Sequence, residues 1–493
     1  MGTTDKQPDG VDTYPADRHD LDGYRQAEID LERMRIPVLL HARSTHERLY
    51  IAALDGTGNT LFDDKSENWS AVAKIYDQVR LLDRQGVKNI AGGYVEGTFT
   101  QQGLLRTPER LLDGPYGHTF EDRVETAYHQ LCVQAKKWID EDPKAEIRIA
   151  GVGFSRGAEE VAALERMIEE RGIRDPVDAK IVLDKGNHDL ITHIRYADIP
   201  LLVAPGKTLQ AAMLFDPVST GVEEHDRRLP PSTLSTFQIT ARDERRNPFK
   251  ADDHIPSGFS ENDRNYNATL AGAHSNIGNT YRQNGLGVLS QNLGVTFLNK
   301  LSDQDFLQKQ AVPDDPSLFV VHRSDQGLFG LYRTSSYTDD GLRDHVNQLA
   351  PAELCRDSQP IDCQRKEPIS EELDAQVERR TGPSRQRAPV LHDEYQDSII
   401  PKPPSPAADS PAPSTWNPLF KQMTDAALSG DAQGIEMAGR AYAQSIEGQA
   451  WLGQGQQLNV ALAQQAEQEQ QQAIQQAMAA NEAQVQRGPA MRM

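Results

Sequence analysis

GVGFSRGAEE, residues 151–160, follows the alternating run AEIRIA (145–150) and precedes VAALERMIEE (161–170), which has helical periodicity. A serine between two glycines at the passage from strand to helix admits two readings. One is a packed turn, in which the glycines only allow close approach. The other is a sharp elbow that presents Ser155 as a nucleophile, the G-x-S-x-G arrangement. Short glycine–serine patterns recur by chance, so the rest of the chain has to decide between them.

From about 46 to 345, strand-like and helix-like segments alternate, which predicts an α/β domain with a largely parallel sheet flanked by helices. RLYIAALDGTGN (48–59) reads as a buried strand running into a turn, and EDRVETAYHQLCVQAKKWIDED (121–142) as an amphipathic helix. KTLQAAMLFDPVSTG (207–221), LSTFQITARDERR (234–246), ATLAGAHSNIG (268–278) and SLFVVHRS (317–324) read as further strands, each followed by polar residues. Residues 1–45 form a polar N-terminal segment whose IPVLL cluster (36–40) suits a docking strand or helix end. The segment 184–207 suits either a lid or a buried connecting strand. Beyond 345 the pattern degrades. Residues 346–415 read as a charged, then proline-rich linker, and 416–493 as a helical tail rich in glutamine and alanine, with Asn417 and Pro418 placed to start a helix.

The 493 residues suffice for a large core without staples. A formal net charge of −21 argues against nucleic-acid binding, which wants a basic face. Three cysteines, Cys132, Cys355 and Cys363, are too few for a disulfide framework and suit a reducing cytoplasm. The first 20 residues lack the apolar core of a signal peptide, and no run approaches the roughly 20 apolar residues that span a bilayer. The expectation is a chain made soluble in the cytoplasm of its producer, with any export left to a dedicated machine.

An elbow serine needs an imidazole to take its proton and a carboxylate to fix the imidazole's tautomer. In an α/β-hydrolase these follow in the order Ser, acid, His, each where a strand ends. Ser155, Asp216 and His274 meet that order. The oxyanion needs two backbone N–H groups, one from Arg156 and one from an earlier strand end. The LDGTGN turn, with Gly56 and Thr57, fits the second. The same turn also fits a phosphate-binding loop, although no G-x-x-x-x-G-K-[ST] follows. No histidine, cysteine or carboxylate cluster has metal-ligand spacing, and no cofactor is expected.

ALDGTGN, GFSRGA, LFDPVSTG, ARDERRNPF and AGAHSNIGNTY occur in the order of a bacterial family. Over roughly 47–300 the chain resembles the type VI secretion phospholipase effectors (the Tle lipases) and related α/β-hydrolases. Three positions depart from the family pattern: Pro217 stands for its threonine, Asn276 for its aspartate and Asn279 for a glycine. None removes a group of the triad. Asp243 of the DERR motif is the rival acid, with a local pair to Arg246 at a strand end as its structural reading. The resemblance implies that Ser155 attacks a glycerophospholipid ester, that His274 acts as base and then acid, and that Asp216 orients it. It also implies export into target cells, a membrane substrate, an immunity protein, and a secretion or adaptor partner for the tail. An intracellular hydrolase of small esters and a non-catalytic binding module are the alternatives.

Overall fold

Seven strands make the central sheet: β1 (Glu47–Leu54), β2 (Ile90–Val95), β3 (Glu146–Phe154), β4 (Leu209–Phe215), β5 (Thr233–Ala241), β6 (Gly258–Phe259) and β7 (Asn265–Leu270). Their spatial order is β6-β7-β5-β4-β3-β1-β2, with every neighbouring pair parallel except β6 and β7. The structure is a computed structural model that describes residues 9–61, 69–97, 119–183, 190–247, 249–326, 343–351, 354 and 367–381. These belong to one compact unit, Met1–Gln101 with Pro108–Gln396. The second unit, Gln102–Thr107 with Asp397–Met493, lies outside the described residues, as do Cys355, Cys363, the proline-rich stretch and the helical tail.

The inner strands are buried on both faces, as in a parallel sheet covered on both sides. Every residue of β4 and β5 is buried. Helices α1 (Arg18–Arg33), α2 (Ala71–Arg84) and α6 (Gly285–Lys300) cover one face, and α3 (Phe120–Glu141) and α4 (Arg156–Arg171) the other. A one-turn helix, α5 (His274–Ile277), follows β7. The chain runs from β1 outward to β2, then returns to the other side of β1 to place β3. The order therefore reverses between β1 and β3, and a crevice opens at their carboxyl ends. The architecture is that of an α/β-hydrolase, as expected.

The described residues extend the packed unit past both expected limits of 46 and 345. The 1–45 segment holds α1, started by a reciprocal capping box between Asp17 and Asp20. Leu21, Tyr24, Ala27 and Leu31 join the main core. Thr13–Pro15 pairs antiparallel with Val320–His322, so SLFVVHRS forms a strand away from the central sheet. Ile36–Pro37 pairs with Arg379–Arg380, so IPVLL is a docking strand. Within the expected linker, Glu367 accepts hydrogen bonds from Arg264 and Asn265, and Leu373 is buried. From the 184–207 segment, Ile191–Arg195 forms a hairpin with Lys180–Leu183 on the flank of α3. Residues 184–189 lie outside the described residues.

Candidate active site

β3 ends at Phe154 and α4 begins at Arg156, so a single residue makes the turn. That residue, Ser155, has φ 58° and ψ −129°, a conformation that costs a non-glycine residue of order 1–3 kcal/mol and is held only where packing enforces it. The packing is set by the flanking glycines. A Cβ on Gly153 would stand 2.4 Å from the Gly157 carbonyl oxygen, and one on Gly157 would stand 2.2 Å from that of Leu54. Helix, elbow and β1 meet at backbone contact, so the turn is tightly packed, and the packing strains the serine.

Asp216 ends β4, fully buried, also with positive φ (42°). Its Oδ2 lies 2.6 Å from His274 Nδ1. Its Oδ1 accepts from the Ala241 amide at 2.8 Å and from Arg343 Nη1 at 2.6 Å. Burial works to raise the Asp216 pKa, but Arg343 and His274 outweigh it and hold the carboxyl below its ordinary value. His274 opens α5 and stacks on Phe154 at 4.6 Å, with Phe249 edge-on at 5.1 Å. Burial between these rings lowers the His274 pKa below 6.5, against the opposing pull of Asp216. Ser155 and His274 both line a cleft of about 480 Å³, with Thr57, Asn59, Arg246 and Thr280.

The remaining expected residues fall as follows. Asp243 accepts from the Gly272 amide at 2.8 Å and pairs with Arg242 at 3.0 Å, not with Arg246 as expected, because Arg246 is taken by Glu244. Its neighbour Glu244 is the acid that touches the histidine backbone, accepting from His274 N–H at 3.1 Å. Burial would raise the Glu244 pKa, yet the bidentate Arg246 drives it far below the carboxylate range. Arg156 follows the elbow, and its Nε donates to Thr57 Oγ1 at 2.8 Å. The Gly56 amide is engaged by Asp55 Oδ1 at 2.8 Å. Asp55 is a buried anchor: Ser70, the N-cap of α2, and Tyr94 both donate to its Oδ2.

Two groups escaped the sequence reading. Arg343 stands 127 positions from the Asp216 it contacts, in a stretch without periodicity. The paired glutamates that close GAEE are the other. Glu160 is bidentate to buried Arg123, which also donates to the carbonyls of Asp55 and Glu96. Glu159 meets buried Arg227 at 3.0 Å. Arg227 also pairs with Asp252, whose Oδ2 accepts from the Ser219 amide at 2.7 Å. The first turn of α4 thus ties the loop after β1 on one side and the loop after β4 on the other.

Residues 48–185 match the family described as "T6SS, Phospholipase effector Tle1-like, catalytic domain". The resemblance carried by the motifs is borne out over that span, which runs from β1 past α4. No curated protein matches the chain by sequence. Among solved structures it is similar to an uncharacterized protein from Pseudomonas aeruginosa, at 14% identity and a TM-score of 0.35 over 60% of this chain. It spans about half (50%) of that protein's length. It is also similar to an acetyl xylan esterase, at 10% identity over 51% of this chain and 96% of that one, with a TM-score of 0.21. A cutinase-like protein from Cryptococcus sp. is similar at 8% identity over 52% and 95%, with a TM-score of 0.22. Among the described residues, no helix is long and apolar enough to cross a membrane.

Proposed function

We propose that the chain is a serine phospholipase in which Ser155 is the nucleophile, His274 the general base and acid, and Asp216 the orienting acid. The observation that carries this is the Asp216–His274 pair, 2.6 Å apart at Nδ1, in the crevice that also holds the strained Ser155. With Nδ1 committed to the carboxylate, His274 Nε2 is left to take the Ser155 proton as the hydroxyl adds to the ester carbonyl. The tetrahedral oxyanion is received by backbone N–H groups after the elbow and at the β1 turn, those of Arg156 and Thr57. Collapse expels the alcohol, which takes the proton from His274, and water then releases the acyl group by the same relay.

A glycerophospholipid as substrate, export by a type VI apparatus, killing of a target cell and an immunity partner rest on the family match to residues 48–185. The test is hydrolysis of phosphatidylethanolamine and phosphatidylglycerol vesicles by the purified full-length chain, with products resolved by mass. Ser155→Ala is expected to lower turnover by roughly 10⁴-fold or more with the fold intact, and to abolish fluorophosphonate labelling. Undiminished hydrolysis by that variant overturns the nucleophile. Turnover of short-chain esters but never of vesicles makes the chain a small-ester hydrolase instead.

A further inference from the structure

Beside the catalytic cleft lies a second, larger concavity. The cleft wall ends at Thr280, and the next residues, Tyr281 and Arg282, line a groove of about 1060 Å³ that runs along α2. Its lining includes the apolar side chains of Trp69, Leu81, Leu82 and Phe306. Leu81 is 42% exposed although its helix otherwise packs on the core. The groove begins where α2 meets the His274 segment, since the Ala71 amide donates to the Gly278 carbonyl. One turn further on stands Lys74.

Lys74 is half-buried, and its Nζ donates to the Asn279 carbonyl at 3.4 Å. Among the described residues no carboxylate pairs with it, and desolvation lowers its pKa to about 8. The Arg282 side chain also lacks a carboxylate partner among the described residues; only its backbone N–H is engaged, by Asp9. The carboxylate in this groove, Asp77, is neutralised by Arg80 on the same helix. A cation withdrawn from water without a counter-ion is costly, and an arriving anion removes that cost. Cationic groups beside apolar side chains match a molecule of the same build.

We propose that this groove is a second ligand site, for an amphiphile with a phosphate head and one apolar chain. The phosphate sits on Lys74 and Arg282, and the chain lies along Trp69, Leu81, Leu82 and Phe306. The site is separate from Ser155 and does not depend on the chemistry proposed there. Phosphate-bearing single-chain lipids and free phosphate share the head chemistry, and only the first uses the apolar side chains.

The test is calorimetric titration of the full-length chain with monododecyl phosphate below its micelle concentration, set against inorganic phosphate and dodecyl maltoside. Monododecyl phosphate is expected to bind with one-to-one stoichiometry at the groove, and each control at least about tenfold more weakly. Lys74→Met keeps the stem packed and removes the charge. Arg282→Gln alters an exposed side chain and serves if the first variant fails to fold. Each is expected to raise the Kd for monododecyl phosphate about tenfold, and Leu81→Ser to raise it by a similar factor. Unchanged affinity in the charge variants overturns the proposal, because the ligand then sits elsewhere. Equal binding of inorganic phosphate removes the chain from it, equal binding of the maltoside removes the phosphate, and absence of binding removes the site.

Discussion

At the scale of single residues, the site turns on which acid serves His274. Asp216 meets the imidazole and Asp243 holds the Gly272 turn. Asp216→Asn is therefore expected to cost turnover roughly 10⁴-fold, through the wrong tautomer. Asp243→Asn is expected to cost stability, about 1–3 kcal/mol, with turnover of the folded fraction kept. Steady-state kinetics and denaturant melts on the two variants check this, and the reverse pattern exchanges their roles. A pH profile tests the histidine. Its folded pKa lies below 6.5, because burial opposes the charged form. The base is active when neutral, so the acid limb of kcat/KM should fall below pH 6.5, with activity lost as pH drops through it. Arg343→Met removes the cation on Asp216 Oδ1, leaves the carboxylate's charge to His274 alone, and should move that limb to higher pH. An unmoved limb makes Arg343 a packing residue. The Asp216–His274 contact was legible because Asp216 directly follows β4 and His274 lies just past β7, in the order that the elbow sets. Arg343 was not, because a contact made across 127 positions leaves no local pattern. The DERR motif was legible as important, yet its contact to His274 comes from Glu244, one residue beyond the acid that the motif suggested.

At the scale of elements, the elbow depends on how closely α4 approaches β1. Gly157→Ala forces a methyl group against the Leu54 carbonyl, with backbone on both sides and no flexible side chain to yield. We expect a loss of about 1–3 kcal/mol or more, and a fall in turnover beyond what the unfolded fraction explains, as Ser155 moves with its helix. A thermal melt paired with active-site titration separates the two. Glu160→Gln is expected to be worse, by about 3–5 kcal/mol, since it strands Arg123 as an uncompensated buried charge. Glu160→Gln combined with Arg123→Met should recover much of that loss in the same melt. Strand–helix alternation was readable because buried parallel strands and amphipathic helices have different periods. Helix α1 was missed for a different reason. Its polar composition hides a narrow stripe, Leu21, Tyr24, Ala27 and Leu31, whose spacing of three to four was present in the sequence and outvoted by its charged neighbours.

At the scale of the whole molecule, the truncation that separates tail from enzyme lies further along than composition suggests. A chain ending at Gln396 is expected to keep ester hydrolysis and its melting temperature. A chain ending before Glu367 should lose both. It forfeits the acceptors of Arg264 and Asn265, the buried Leu373 and the strand that covers Ile36–Pro37. Equal melts for the two chains would show that 367–381 contributes nothing to the unit. The charged stretch was read as a linker because the segments that return to a finished core are short and carry no periodicity of their own. The pairing of Arg379–Arg380 with residues near the start of the chain has one more consequence, and it concerns time. A ribosome releases Ser155, Asp216 and His274 well before it releases Arg343 and the closing strand. The nascent chain therefore carries Ser155, Asp216 and His274 for a time without the arginine that contacts Asp216 or the strand that pairs with Ile36–Pro37. The order of the residues thus sets a delay between the synthesis of these three side chains and the completion of the packed unit.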